Sequence, residues 1–122
     1  MTWLRTDVEN VFDLRPGAHA RFNELYAGLW NEDVEATTLD ACRDRIVALL
    51  AYAPDPTADR VLSPAVRAAV AYAEQYALDP RGLRDADFVA LHEHYTDAQL
   101  ATLTLAVAMF DARARFATAL EA

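Results

Sequence analysis

Apolar residues recur along this chain at intervals of three and four, the spacing of one face of a helix. Phe22, Leu25, Tyr26, Leu29 and Trp30 form the first long stripe, and it predicts an amphipathic helix beginning at Ala18. Ahead of it, Thr6-Asp-Val-Glu9 has capping-box spacing, so a short helix to about Leu14 is expected, stopped by Pro16-Gly17. The acidic run Asn31 to Glu35 reads as a loop. Leu39 to about Ala53 reads as a third helix, with Thr38 as its N-cap and Ile46, Leu49 and Leu50 facing the core. Pro54-Asp-Pro56 ends it, because each proline lacks an amide donor and restricts the residue before it.

Ser63-Pro64 places a cap and then a first-turn proline ahead of Val66, Val70, Tyr72, Ala73 and Tyr76, a helix expected to end near Asp79-Pro80. Asp85 is expected to cap a fifth segment, Ala86 to His94, with Phe88 and Leu91 three apart. Thr96-Asp-Ala-Gln99 is a second capping box and opens the longest helix, about Asp97 to Leu120. Between Leu100 and Phe110 that helix is apolar on nearly every side, and a helix greasy all round is expected to be buried all round. No segment alternates β-branched with polar residues, and there is no internal repeat. The expectation is a single all-α domain spanning 1–122, with about six helices and no sheet.

Composition changes this picture in one respect. Hydrophobic residues make up 54% of the 122 residues, more than one small monomer readily hides, so self-association is expected. The net charge of −8, with every cation an arginine, speaks against nucleic acid and against an anionic membrane surface as partners. Charges at Arg5, Asp7 and Glu9 interrupt the first residues, so no signal-peptide core is expected, and no run is long enough to span a bilayer. With a lone cysteine, Cys42, no internal disulfide forms, and the cytoplasm is the expected address.

Three stretches carry a resemblance. Phe22-Asn-Glu-Leu-Tyr-Ala-Gly-Leu-Trp30, Leu39-Asp-Ala-Cys-Arg-Asp-Arg-Ile-Val47 and Leu62 to Leu120, with Ala71-Tyr-Ala-Glu-Gln-Tyr76 and Leu91-His-Glu-His-Tyr-Thr-Asp97, resemble the carboxymuconolactone decarboxylase and alkylhydroperoxidase-D-like family. The resemblance implies a helical bundle that assembles as a homo-oligomer, a trimer or hexamer. Peroxidases of that family carry Cys-x-x-Cys-x-x-x-His with a glutamate upstream, a pair in which the second thiol resolves the oxidised first. Here the two cysteine positions fall on Tyr52 and Asp55 and the glutamate position on Asp40, and the segment that would carry the histidine is replaced by the short loop Pro54 to Val61. The resemblance therefore implies a shortened, degenerate member without thiol peroxidase activity.

Among candidate site residues, Cys42 lies beside Arg43 and Arg45, which lower a thiol pKa only if they turn toward it; a small buried hydrophobe is the simpler role. His92 and His94, at i and i+2, point apart on a helix and form no convergent metal set; surface histidines at a helix end are expected, with no metal and no cofactor. Glu74, in an apolar stretch between Tyr72 and Tyr76, either pairs with one of Arg43, Arg45, Arg113 and Arg115 or serves as an acid–base group. Asp111 is spaced to pair with Arg115 at i,i+4, with a ligand-anchoring role as the alternative. No partner for His19 is readable.

Two main functional expectations follow. One is a binding protein for a small apolar ligand or a protein partner, with Tyr72, Tyr76, Arg43 and Arg113 as the ligand-contacting residues. The other is a cofactor-free lyase or isomerase with Glu74 or Asp111 as acid–base group and an arginine holding an anionic substrate. A third is a structural subunit that requires a full-length relative.

Overall fold

The computed structural model describes residues 14–121 and is all-α, with five α-helices and no strand among the described residues. They are α1 (Pro16–Ala27), α2 (Ala36–Leu50), α3 (Pro64–Leu78), α4 (Asp85–His92) and α5 (Asp97–Glu121), with a 3-10 turn, Pro80–Gly82, between α3 and α4. The expected Thr6 helix falls on residues outside those described, Leu14 apart. No helix of the described chain is long and apolar enough to cross a membrane.

The predicted ends of α3 and α5 hold, and where their caps are read the chemistry is local. Ser63 Oγ accepts the Val66 amide at 3.3 Å with Pro64 as the first residue of α3. The Thr96–Gln99 box closes in both directions, the Thr96 amide to Gln99 Oε1 at 2.9 Å and the Gln99 amide to Thr96 Oγ1 at 3.2 Å.

Six boundaries are corrected. Pro16 opens α1 as its first residue, and the helix stops at Ala27, so Leu29 and Trp30 sit in the turn beyond it. Helix α2 starts three residues early, at Ala36. Thr38 is not its cap but a buried residue of the first turn. It ends at Leu50, where Tyr52 takes the left-handed region at φ 54° and the Ala53 amide closes back on the Ala48 carbonyl at 2.8 Å. In α4, Asp85 is the first helical residue rather than the cap, the Arg84 amide donates to Asp87 Oδ2 at 2.8 Å, and the helix ends at His92.

Helix α2 is central. It packs on α3 on one side and on α5 on the other, while α3 touches α5 and α4 lies against both. Leu39, Cys42, Ile46, Leu91, Leu103, Val107 and Phe110 are the largest fully buried side chains. Each buried aliphatic or aromatic side chain of this kind contributes about 1.5–3 kcal/mol. Ala69, Ala73 and Ala77, one face of α3, are also buried and let its backbone come close. Leu49 and Leu50, expected in the core, are only partly buried at its edge.

Helix α1 has no fully buried residue. It reaches the core through an aromatic cluster: Tyr26 lies 5.3 Å from Trp30 and edge-on to Phe110 of α5 at 5.8 Å, and Trp30 lies 5.5 Å from Phe110. Leu25, expected on the buried stripe, is 54% exposed. Helix α5 also departs from expectation: Leu103, Ala106, Val107 and Phe110 are buried, yet Leu105 on the opposite side is 47% exposed.

Tyr52 is 97% exposed, so its strained backbone is compensated by no packing of its own ring. Tyr52→Gly is therefore expected to stabilise the fold by about 0.5–1 kcal/mol, read as a higher midpoint in urea unfolding. A neutral or destabilising result would show that the exposed ring contributes something the monomer fold does not reveal.

Candidate functional site

Helix α2 directs its two arginines to opposite sides, because residues two apart on a helix point away from each other. Arg45 turns toward α3, where its Nε donates to Glu74 Oε1 at 2.7 Å and lies 3.6 Å from Asp55 Oδ2. Asp55 in turn accepts from the Thr57 amide at 2.8 Å and the Thr57 hydroxyl at 2.6 Å. Burial, the largest single influence, pushes the Asp55 carboxyl up, but the two Thr57 hydrogen bonds, Arg45 and Arg60 together hold it below its ordinary value. Arg60 pairs with Asp44 at 3.1 Å, so the Pro54–Val61 loop is tied to α2 at both of its ends. Glu74 is thus one member of an ion-pair wall, and its oxygen nearest Arg45 is committed to that guanidinium.

Tyr72 and Tyr76 occupy another face of α3. Their rings lie 6.3 Å apart, and Tyr72 packs edge-on to Phe88 of α4 at 5.8 Å. Burial first, and then the neighbouring Tyr76, raise the Tyr72 hydroxyl pKa. The structure does not bring this pair onto the Glu74 carboxylate's wall. Asp111 Oδ2 accepts from Arg115 Nε at 2.9 Å, in the expected i,i+4 register, and Arg115 also donates to the Ala77 carbonyl at the end of α3. The second Asp111 oxygen, Oδ1, is buried with no hydrogen-bond partner among the described residues.

On the other side of α2, Arg43 lies over the Trp30 ring at 5.6 Å, 3.2 Å from Asp44 and 3.6 Å from Asp40. Trp30 Nε1 donates to Asp40 Oδ1 at 3.0 Å, which fixes the ring. Arg113 of α5 lies over Tyr26 at 5.8 Å. These two arginines, nominated separately along the sequence, border one cleft of about 290 Å³ between α2 and α5. Val47 and Ala51 line it from α2, Phe110, Ala114 and Ala117 from α5, and Tyr26 from α1. The cleft exists because alanines face each other where larger side chains would close it. Burial raises the Tyr26 hydroxyl pKa, with Arg113 and Arg43 pulling it back and Asp40 adding to the rise, so at neutral pH this hydroxyl is a donor.

Tyr26 is the residue that sequence reasoning missed as a site candidate. Its place in the Phe22–Trp30 stripe marks it as core, and nothing local announces that its ring also borders a cleft.

Cys42 is fully buried, and burial pushes its thiol up to about 12. Neither neighbouring arginine turns toward it, so it is a packing residue and no nucleophile at neutral pH. His92 is a surface histidine, its Nδ1 3.6 Å from Asp97 Oδ1 across the α4–α5 turn, and His94 is exposed. Among the described residues no three histidine, cysteine or acidic side chains are placed to hold a metal ion. No family model, no curated protein and no solved structure matched this chain.

Two predictions follow from this geometry. Arg45→Met leaves Glu74 without its cation and Asp55 with Arg60 alone, and is expected to cost about 1–2 kcal/mol, the partial exposure of the pair keeping it below a buried-pair loss. Adding Glu74→Met should recover part of that loss in a double-mutant cycle by urea unfolding; strict additivity would contradict the pairing. The second concerns alkaline stability. The folded pKa of Cys42, about 12, lies above that of an exposed thiol, about 8.5. The folded state therefore holds this proton more tightly, and the associated stability is complete below about pH 8.5 and lost as pH rises toward 12. Tyr95, likewise raised to about 12 by burial and by Cys42, adds to the loss above about pH 10. Between about pH 8.5 and 10 the wild-type protein should lose roughly 1–2 kcal/mol that Cys42→Ala does not lose. Parallel curves for the two proteins in that window would refute the assignment.

Proposed function

We propose that this chain is a non-redox helical binding protein that takes a small, flat, largely apolar ligand into the cleft between α2 and α5. On this reading it is a shortened relative of the carboxymuconolactone decarboxylase and alkylhydroperoxidase-D-like proteins, a cytoplasmic homo-oligomer that has lost their thiol chemistry.

One observation carries the ligand reading. The cleft of about 290 Å³ has aromatic rings, Tyr26 and Phe110, and small apolar walls, Val47, Ala51, Ala114 and Ala117, with guanidinium groups at Arg43 and Arg113. That size lies at the small end of ligand pockets, roughly 300–1,000 Å³. Because Arg43 already shares its charge with Asp40 and Asp44, the apolar body of the ligand supplies most of the affinity, and an acid group on it only adds to that. The non-redox reading rests on Cys42, the chain's single cysteine, being buried and protonated. The acid–base alternative fits less well, because Glu74 and Asp111 each hold an arginine of their own and line a different part of the surface from this cleft.

Isothermal titration with 2-naphthol and 2-naphthoate as probes tests the proposal. Binding in the range of roughly 10–100 μM is expected for ligands of this size. Ala117→Phe should fill the cleft and weaken both probes at least about tenfold with the melting temperature maintained, and Arg113→Gln should weaken the naphthoate selectively. Binding untouched by Ala117→Phe would sink the cleft. Reduction of cumene hydroperoxide by a dithiol, lost in Cys42→Ala, would sink the non-redox reading.

A further inference from the structure

The outer face shared by α1 and α5 is apolar, grooved and charge-balanced, and this goes beyond the ligand cleft and does not depend on it. Leu25 of α1 and Leu105 of α5, both about half exposed, border a groove of about 440 Å³, with Gly28 and Leu29 beside them. Two charged residues of α1 line the same groove, Arg21 and Glu24. They have opposite signs, lie three residues apart, and neither makes an ion pair or side-chain hydrogen bond with the described residues.

We propose that this groove is the seat of a second copy of the chain, the two α1 helices crossing antiparallel about a two-fold axis. Arg21 of one copy then faces Glu24 of the other, and the reciprocal pair forms by symmetry, while Leu25 and Leu105 become buried.

Self-complementarity is what selects this occupant. A two-fold interface sets the same patch against itself, so a residue at one position meets its counterpart at the other. A patch carrying one cation and one anion on a single helix satisfies that requirement when the helices run antiparallel. The competing apolar face, Phe88 and Val89 on α4, is flanked by Asp85 and Asp87, and pairing it with itself would bring four carboxylates together. Helix α1 also has no fully buried residue, and a second helix laid over Leu25 adds cover that the described residues do not supply.

Sedimentation equilibrium of the full chain, from low micromolar to submillimolar concentration, tests this. The expected result is a reversible assembly with an even number of chains. Arg21→Glu and Glu24→Arg should each weaken it about tenfold, since each variant sets like charges together twice, and the double swap Arg21→Glu/Glu24→Arg should restore wild-type affinity. Leu105→Glu should weaken it at least about a hundredfold, with circular dichroism checking that the variant still folds. Because Arg21 and Glu24 are exposed, the charge-swap series stands even if Leu105→Glu fails to fold. A monomer at every concentration, a strict trimer, an assembly indifferent to the single charge variants, or a double swap as weak as the singles would each overturn the proposal.

Discussion

Helix α2 has to be covered on two sides at once, and that requirement arranges everything else. Leu39, Cys42 and Ile46, at i, i+3 and i+7, have no exposure at all, because α3 closes over one flank and α5 over the other. Its two arginines are left the two seams. Arg45 enters one and becomes the hub of an ion-pair wall with Glu74 and Asp55. Arg43 enters the other and settles on Trp30 beside the cleft. A structural seam and a candidate binding seam thus come from one helix and from residues only two positions apart.

Small side chains decide what each seam becomes. On α3, Ala69, Ala73 and Ala77 are buried, and a close helix–helix approach leaves room at the margin only for ion pairs. On α5, Ala114 and Ala117 face Val47 and Ala51 of α2, but the bulky cluster of Tyr26, Trp30 and Phe110 stands at the end of that seam. Large rings at one end and alanines along the walls prevent the seam from closing. The same residue type therefore produces tight packing in one place and an opening in another, according to what stands beside it.

What was legible in the sequence was local. The Ser63-Pro64 start, the Thr96–Gln99 box and the Asp111–Arg115 pair all involve residues within four positions, where helix geometry alone fixes the meeting. What was not legible depends on distant partners. Thr38 has cap chemistry, but it is buried inside the first turn of a helix that begins two residues earlier, where its neighbours rather than its own hydroxyl decide the start. Arg45 and Glu74 lie 29 residues apart, and the sequence offered four arginines with no means to choose among them. Arg43 and Arg113 could each be nominated, but only the crossing of α2 and α5 places them on one cleft. Leu25 and Leu105 belong to apolar patterns that predict burial, yet a chain of this size has too few helices to cover them.

The two faces of α5 are separate enough to serve two purposes. Leu105 and Arg113 are eight residues apart, about 12 Å along the axis at 1.5 Å per residue, and about 80° apart around it at 3.6 residues per turn. A second copy seated over Leu105 therefore covers the first half of the helix and leaves the cleft beside Arg113 and Ala117 facing another direction. Association would then bury apolar surface that the small core cannot hide without blocking the opening that the alanines leave. Coupling between the two faces would have to run through the α5 strip of Val107 and Phe110, since Phe110 is both a wall of the cleft and the ring against which α1 is held. A partner that fixed α1 from outside would also fix Tyr26, and with it one border of the cleft.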